Sequence, residues 1–212
     1  MMRAYLYLID FVLPLPMTAV MFVLWQRRTG STMFAAYVLA LGVLFGYIYP
    51  GIGTNVLHLW KFSGPLRVGN YFLHHGFMYA PYLALVFYVA FPEGAPLTIG
   101  NSLRIVLCCA FVQCVLSCHH DYCGVSTGMI EINSAAARAR RSPVEIVTDF
   151  GVVSFALVGA TFSASCLIAY HFIVVRGNRD SSTFVLLIAM ALGLMGVPAL
   201  QYLIKDRRER RV

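Results

Sequence analysis

The sequence predicts an all-α protein, a polytopic transmembrane helical bundle of about six spans that form one integral membrane domain, residues 1–212. Hydrophobic residues make up 59% of the chain and charged residues 12%, whereas soluble domains contain about 25% charged residues. The mean hydropathy is +0.74. The apolar residues also fall in runs of roughly 20, the length that a bilayer-crossing helix needs. Six such runs occupy nearly the whole chain, so we expect no separate soluble domain.

Each predicted span has a boundary or an interruption that the sequence marks. The first run contains Asp10 and two prolines and has no small-residue cleavage site, so it is predicted as a span rather than a signal peptide. Pro50 interrupts the second run and predicts a kink or a break. Residues 142–145 read Ser-Pro-Val-Glu, a capping pattern that opens the fifth span. The predicted spans are 4–25, 32–58, 70–91, 103–121, 143–175 and 183–205.

The distribution of Lys and Arg predicts that both termini are cytoplasmic. Eleven basic residues flank the spans on the side of the termini and four flank them on the other side, and basic residues favour the cytoplasmic side. The net charge of +7 is then a feature of membrane topology, and we expect the lipid bilayer rather than nucleic acid as the partner. The eleven are Arg3, Lys61, Arg67, Arg138, Arg140, Arg141, Lys205, Arg207, Arg208, Arg210 and Arg211; the four are Arg27, Arg28, Arg176 and Arg179.

This topology gathers ionisable side chains at the inner face of the membrane. Five of the six histidines and three aspartates lie there, contributed by four or five different spans. Ionisable groups within a membrane are costly, and they commonly mark a cavity or a functional site. The residues are Asp10, His58, His74, His75, His119, His120, Asp121 and Asp149.

Two predicted spans carry these groups on helical stripes. In the fourth span, Gln113, Ser117, His120 and Asp121 recur at the spacing of one helix face. In the third span, His75, Tyr79 and Tyr82 share a face, which suggests a polar mouth with aromatic walls further in. The predicted substrate-binding residues are Tyr79, Tyr82, Trp60 and Gln113.

The first of three interpretations is acid–base catalysis on a hydrophobic small-molecule substrate, without a cofactor. A carboxylic acid in a wall of low dielectric constant is able to act as an acid near neutral pH, and a neighbouring His is able to hold or accept its proton. This chemistry suits cyclisation, isomerisation or epoxide opening of an isoprenoid or other lipid. The predicted catalytic residues are Asp10, Asp121, Asp149, His75 and His120.

Two other interpretations fit the same composition. In one, the ligand-rich stretch 118–123 and histidines from other spans bind a metal ion or haem; the candidate ligands are His58, His74, His119 and His120. In the other, the chain is a non-catalytic accessory subunit with membrane-protein partners, and the histidines bind headgroups or a neighbouring chain.

A sequence resemblance favours the first interpretation. Three stretches of the chain resemble the small integral-membrane terpene cyclases of natural-product pathways. They are Leu-His-Leu-Trp-Lys at 57–61, Pro-Leu-Arg-Val-Gly at 65–69 and His-His-Gly-Phe-Met-Tyr at 74–79. The resemblance implies that membrane-embedded acids protonate an epoxide or an alkene on a prenyl chain. The Asn-x-x-Trp-Glu motif of the best-known branch of these cyclases is absent from this chain, so the resemblance assigns no acidic residue.

Overall fold

The protein is described by a computed structural model that covers residues 1–64, 66–94 and 97–209. Its helices are α1 (Met2–Tyr7), α2 (Pro14–Thr29), α3 (Thr32–Gly51), α4 (His75–Ala90), α5 (Ile99–Thr127), α6 (Ala135–Arg138), α7 (Pro143–Ala169) and α8 (Ser181–Glu209). Three π-helical turns accompany them: Leu8–Val12 after α1, Ile52–Val56 after α3 and Tyr170–Val175 after α7. The strands of the described residues are β1 (Trp60–Phe62), β2 (Arg67–Val68), β3 (Tyr71–Phe72) and β4 (Ile130–Ile132).

The predicted class, a transmembrane helical bundle, is confirmed. Within the described part of the chain, four helical stretches are long and apolar enough to cross a membrane, and a bent pair counts as a fifth if it is one span. Helix α4, with 16 residues, is shorter. All six predicted spans are largely helical, but their number as membrane crossings and the side on which the termini lie stay predictions. The four stretches are Thr32–Val56, Ile99–Thr127, Gly151–Val175 and Ser181–Gln201.

The first predicted span, 4–25, is two helices that meet at a bend of 52°. In the π-helical turn Leu8–Val12, the Leu13 N–H donates to the carbonyl oxygen of Leu8 at 2.9 Å, five residues back. Pro14 then begins α2, where a helix needs no N–H donor. The wide turn and the proline together account for the bend.

The interruption predicted at Pro50 is a change of helix type. Helix α3 runs through Pro50, and the π-helical turn Ile52–Val56 begins immediately after it ends. In that turn the Leu57 N–H donates to the carbonyl oxygen of Ile52 at 2.9 Å. The Thr54 hydroxyl donates to the carbonyl oxygen of Pro50 at 2.6 Å, which satisfies an acceptor that the regular helix leaves open.

Residues 57–64, 66–74 and 128–142 form an end layer of short strands, turns and helix α6 over one end of the bundle, which the sequence pattern did not predict. Strand β1 pairs antiparallel with β4, and β2 pairs antiparallel with β3. The third predicted span is helix α4, which therefore begins at His75 rather than at residue 70. The fourth predicted span is helix α5, which continues past residue 121 to Thr127. Gly128 follows it as a left-handed cap at φ +72°.

Helices α3 and α4 cross in close contact. A Cβ atom at Gly42 would lie 2.6 Å from the Cα of Ala80, and one at Gly46 would lie 2.7 Å from the Cα of Gly76. The four-residue spacing of Gly42 and Gly46 is typical of helices that pack closely in membranes, and the structure confirms that contact. The equivalent spacing at Ala189 and Gly193 marks no such contact, because no atom of the described residues lies within 4 Å of a Cβ built at Gly193.

Asp180 caps α8 and gives a pH-dependent prediction. Its carboxylate accepts from the Thr183 N–H at 2.7 Å and from the Thr183 hydroxyl at 2.9 Å, and these bonds hold the pKa of Asp180 below its ordinary value of 3.8. Because the folded pKa is lowered, the cap stabilises α8 above about pH 4 and loses this effect as the pH falls further. We expect Asp180→Ala to lower the melting temperature at pH 7 by more than at pH 3.

The matched control is Asp180→Asn, since Asn caps a helix as well as Asp does but carries no titrating group. Its melting temperature at pH 7 should stay near that of the wild type. An Asp180→Ala deficit of equal size at both pH values would contradict the role assigned to the carboxylate.

Candidate functional site

Three ionisable side chains meet where the N-terminal segment lies against α5. His120 Nε2 is 3.1 Å from Asp10 Oδ1, and His120 Nδ1 is 3.0 Å from Asp121 Oδ1. Asp10 is only 3% exposed and Asp121 9%, so bulk solvent screens these contacts little. The imidazole is therefore held between two carboxylates, one from the π-helical turn Leu8–Val12 and one from its own helix.

The π-helical turn that carries Asp10 is fixed by side chains from α4 and its N-terminus. The Tyr82 hydroxyl donates to the carbonyl oxygen of Ile9 at 2.6 Å. His74 Nε2 lies 3.1 Å from the carbonyl oxygen of Asp10, and since a carbonyl oxygen only accepts, this nitrogen carries the proton. Arg3 Nη2 donates to the carbonyl oxygen of Thr127 at 2.8 Å, which docks α1 on the end of α5.

Helix α5 presents the predicted polar stripe toward the protein interior. Gln113, Ser117 and Asp121 are buried, four residues apart along α5, and neighbouring residues are partly exposed or exposed. Gln113 Nε2 donates to Ser117 Oγ at 2.8 Å. The stripe therefore runs along one face of α5 to the His120–Asp121 pair, as its spacing predicts.

The three groups adjoin a cavity of about 120 Å³. Of the residues predicted as catalytic or substrate-binding, Asp10, His120, Tyr79, Tyr82 and Gln113 line it. Asp121 touches it only through its bond to His120, which makes Asp121 a positioning residue. The other residues that line the cavity are Tyr5, Ile9, Met78, Leu116, Ser117 and His119.

His75, predicted as catalytic, lies behind the cavity wall. It is completely buried, and its ring stacks on Tyr79 with centroids 5.2 Å apart and an interplanar angle of 22°. On another side it meets Phe62 edge to face at 4.6 Å. Because Tyr79 separates it from the cavity, His75 is placed to position Tyr79 rather than to contact a substrate.

Asp149 and Trp60 lie away from this cavity. Asp149 is exposed on α7; Val147, two positions earlier, is buried, and two helical residues turn a side chain through about 200°. Trp60 is buried in β1, and its indole lies against Gly53, where a Cβ atom would collide with the ring. The structure therefore places Asp149 and Trp60 apart from the group that meets at Asp10 and His120.

The four histidines suggested as metal ligands do not form one ligand set. His58 is exposed in the end layer and lines a different cavity, while His74 is bonded to the backbone of Asp10. His119 lies against the Tyr5 ring, with centroids 5.7 Å apart, and its Nε2 is 3.9 Å from Cys123 Sγ. Within the described ranges, no three His, Cys, Asp or Glu side chains are arranged to hold a metal ion.

Tyr5 is the cavity residue that sequence reasoning missed most clearly. It lines the cavity near Asp10 although α1 is short and its residues look like ordinary interfacial aromatics. An extra residue in a π-helical turn rotates the following side chains by about 100° relative to an unbroken α-helix. A regular period of 3.6 residues therefore does not predict that Tyr5 and Asp10 face the same cavity. Ser117, by contrast, stood on the predicted stripe.

The three groups are able to hold and move a proton. Each contact between a ring nitrogen of His120 and a carboxylate oxygen needs one proton to be a hydrogen bond. Both contacts are hydrogen bonds when the imidazole carries both protons, and also when Asp10 carries one and His120 the other; these two states differ only by a shift along the Asp10–His120 bond. That proton lies at the cavity wall, where Asp10 is able to donate it.

Comparison of the chain with protein-family models, curated proteins and solved structures finds no match.

Proposed function

We propose that this protein is an integral membrane enzyme, with both termini cytoplasmic, that performs acid–base chemistry, cyclisation or isomerisation, on an isoprenoid or other lipid-soluble substrate. The observation that carries the proposal is the placement of His120 between Asp10 and Asp121 at the wall of an aromatic cavity. A buried acid whose proton is shared with an imidazole suits general acid catalysis. The resemblance to membrane terpene cyclases points to the same chemistry.

For an epoxide on an unsaturated chain, the steps are as follows. Asp10 donates its proton to the epoxide oxygen as the ring C–O bond breaks, which leaves a cation at the adjacent carbon. An alkene further along the same chain supplies its π electrons to that carbon and closes a ring. A C–H next to the new cation then returns a proton to the Asp10 carboxylate. The product is an isomer of the substrate, so no co-reactant is consumed.

The neighbouring side chains have distinct parts in these steps. His120 holds the proton when Asp10 is ionised, and Asp121 keeps the imidazole oriented through Nδ1. The rings of Tyr79 and Tyr82, and that of Tyr5, line the cavity and are able to stabilise a developing cation through their faces.

The size of the cavity restricts what it is able to hold. A cavity of about 150 Å³ accommodates benzene, so one of about 120 Å³ takes only the reactive end of a lipid, about five or six heavy atoms. The rest of the chain must lie outside. Leu116 and Tyr5 line the cavity and are 46% and 40% exposed, which supports an opening to the bilayer between α1 and α5.

The test is a product assay with purified protein in detergent or bilayer discs. Terminal epoxides of prenyl chains with two, three or four isoprene units are supplied, and the products are identified by gas chromatography and mass spectrometry. We expect cyclic or rearranged isomers of the same mass as the substrate. No product from any chain, together with co-purification in a larger assembly, would favour an accessory subunit; a Soret band would favour haem.

A further inference from the structure

A second cavity, of about 400 Å³, lies in the end layer. It is separate from the site of Asp10 and His120, because none of the described residues lines both cavities. Its lining differs in kind, with basic and amide side chains in place of the tyrosines. The residues that line it are His58, Trp60, Lys61, Asn70, Glu131, Ile132, Asn133, Ala137 and Arg138.

Basic groups predominate in this cavity. Lys61 stands opposite Glu131 in the β1–β4 pair, and its Nζ lies 3.5 Å from Glu131 Oε2. Arg138, on α6, donates from Nη1 to Asn133 Oδ1 at 3.1 Å. Among the described residues that line the cavity, Lys61 and Arg138 are cations and Glu131 is a carboxylate, and His58 adds a further N–H donor. A cavity of this composition favours an anionic ligand.

The backbone around the cavity is strained. His58 has a φ of +54°, a left-handed conformation that is uncommon for residues other than glycine. Its neighbours hold it there: the Leu59 N–H donates to the carbonyl oxygen of Gly53 at 2.8 Å, and the Asn133 N–H donates to that of Leu59 at 2.6 Å. Strain that the surrounding structure maintains is typical of functional sites.

The position of the cavity also favours an anionic ligand. The end layer joins α3 to α4 and α5 to α7, so it covers the ends of helices that are long and apolar enough to cross a membrane. Arg67, Arg140 and Arg141 are exposed in the same layer. At a membrane surface, basic clusters of this kind attract the phosphates of anionic lipids.

We propose that the end-layer cavity binds a phosphate group through Lys61 and Arg138, with His58 as a third donor. The planar fork of Arg138 suits two phosphate oxygens, and the Lys61 ammonium supplies a point charge beside them. The phosphate is carried either by a lipid headgroup or by a small soluble phosphate. Because the two cavities share no lining residue in the described part of the chain, a failure of this binding is independent of a failure of catalysis at Asp10.

Tryptophan fluorescence tests the proposal, since the chain has two tryptophans and Trp60 lines this cavity, whereas Trp25 is fully buried in the bundle core. The full chain in detergent is titrated with phosphatidylglycerol, with diacylglycerol as the phosphate-free lipid, and with inorganic phosphate. We expect a saturable change with phosphatidylglycerol and none with diacylglycerol. A response to inorganic phosphate as well identifies free phosphate as a sufficient ligand; its absence identifies the lipid-borne group.

Matched variants separate a site from general charge attraction. Lys61→Gln/Arg138→Gln should weaken binding at least about tenfold, the loss expected for a charge-assisted hydrogen bond. Arg27→Gln/Arg179→Gln removes two exposed charges at the opposite end of the bundle and should leave the affinity unchanged.

Three results would overturn the proposal. The first is an equal loss of affinity in both double variants, and the second is an unchanged affinity in Lys61→Gln/Arg138→Gln. The third is binding of diacylglycerol as tight as that of phosphatidylglycerol. If the first double variant does not fold, Arg138→Gln alone, a change of an exposed side chain on α6, carries the same expectation.

Discussion

Asp10→Asn should reduce turnover of a prenyl epoxide by about 10²- to 10⁴-fold, the range that a positioned general acid contributes. An amide has the shape of the carboxyl group and still makes a hydrogen bond to His120 Nε2, but it has no acidic proton to give to the substrate. The variant should therefore elute as a monodisperse protein with a melting temperature near that of the wild type. Rates of product formation measured at saturating substrate isolate the chemical loss from any change in binding.

Two further carboxylates give this experiment its controls. Asp149→Asn makes the same substitution at an exposed residue that does not line the cavity, and its rate should stay within about twofold of the wild type. Asp121→Asn keeps an oxygen acceptor for His120 Nδ1 but removes its charge, so the rate should fall by roughly tenfold, between the other two. A loss at Asp149 as large as that at Asp10 would contradict the assignment of the acid.

Gly46→Ala should destabilise the bundle, because it adds a methyl group where α3 packs closely against α4. Its Cβ would lie 2.7 Å from the Cα of Gly76 and 2.8 Å from the Cβ of Tyr79, and one of these contacts is with backbone that has no room to turn away. We expect a loss of about 1–3 kcal/mol in unfolding free energy, as for overpacked cores. Because Tyr79 lines the cavity, turnover should fall as well.

Gly193→Ala is the matched control, since it adds the same methyl group to α8 at a point where no described atom lies within 4 Å. Alanine favours a helix over glycine by up to about 1 kcal/mol, so this variant should be as stable as the wild type or slightly more so. Unfolding in a titration with denaturing detergent, followed by circular dichroism, compares the two. Equal stabilities would show that α3 and α4 do not cross as closely as described.

The helical segments and part of the site could be predicted from the sequence because each rests on a regular period. Apolar runs predict helices, and the capping pattern at Ser142 places the start of α7 where the structure has it. The spacing of Gln113, Ser117 and Asp121 follows one face of a regular α-helix, and all three are buried. Tyr79 and Tyr82 share a helix face and both line the cavity for the same reason.

The remaining features depend on irregular backbone and on long-range contacts. The π-helical turn that holds Asp10 changes the helical register between α1 and the residues after it, so the positions of Tyr5 and Asp10 at one cavity follow no regular helical period. The end layer arises from strands of two or three residues, which are too short to show an alternating pattern. The sequence places Asp149 with Asp10 by its depth along the span, but depth does not determine which side of the helix a residue occupies. Val147 is buried, and Asp149, two residues later, therefore lies on the opposite, exposed side of α7.

The most direct test of the central claim, that Asp10 is the cavity acid and shares its proton with His120, is covalent labelling by a long saturated 1,2-epoxyalkane. This chain has no alkene to take the cation, so an Asp10 oxygen bonds to the epoxide carbon while the ring C–O bond breaks and the ring oxygen takes the shared proton. Mass spectrometry of the digested protein then locates the ester. We predict one label, on Asp10, that is absent in Asp10→Asn and forms slowly in His120→Gln. Labels on exposed Asp149, Glu131 or Glu145 with Asp10 unmodified would contradict the claim.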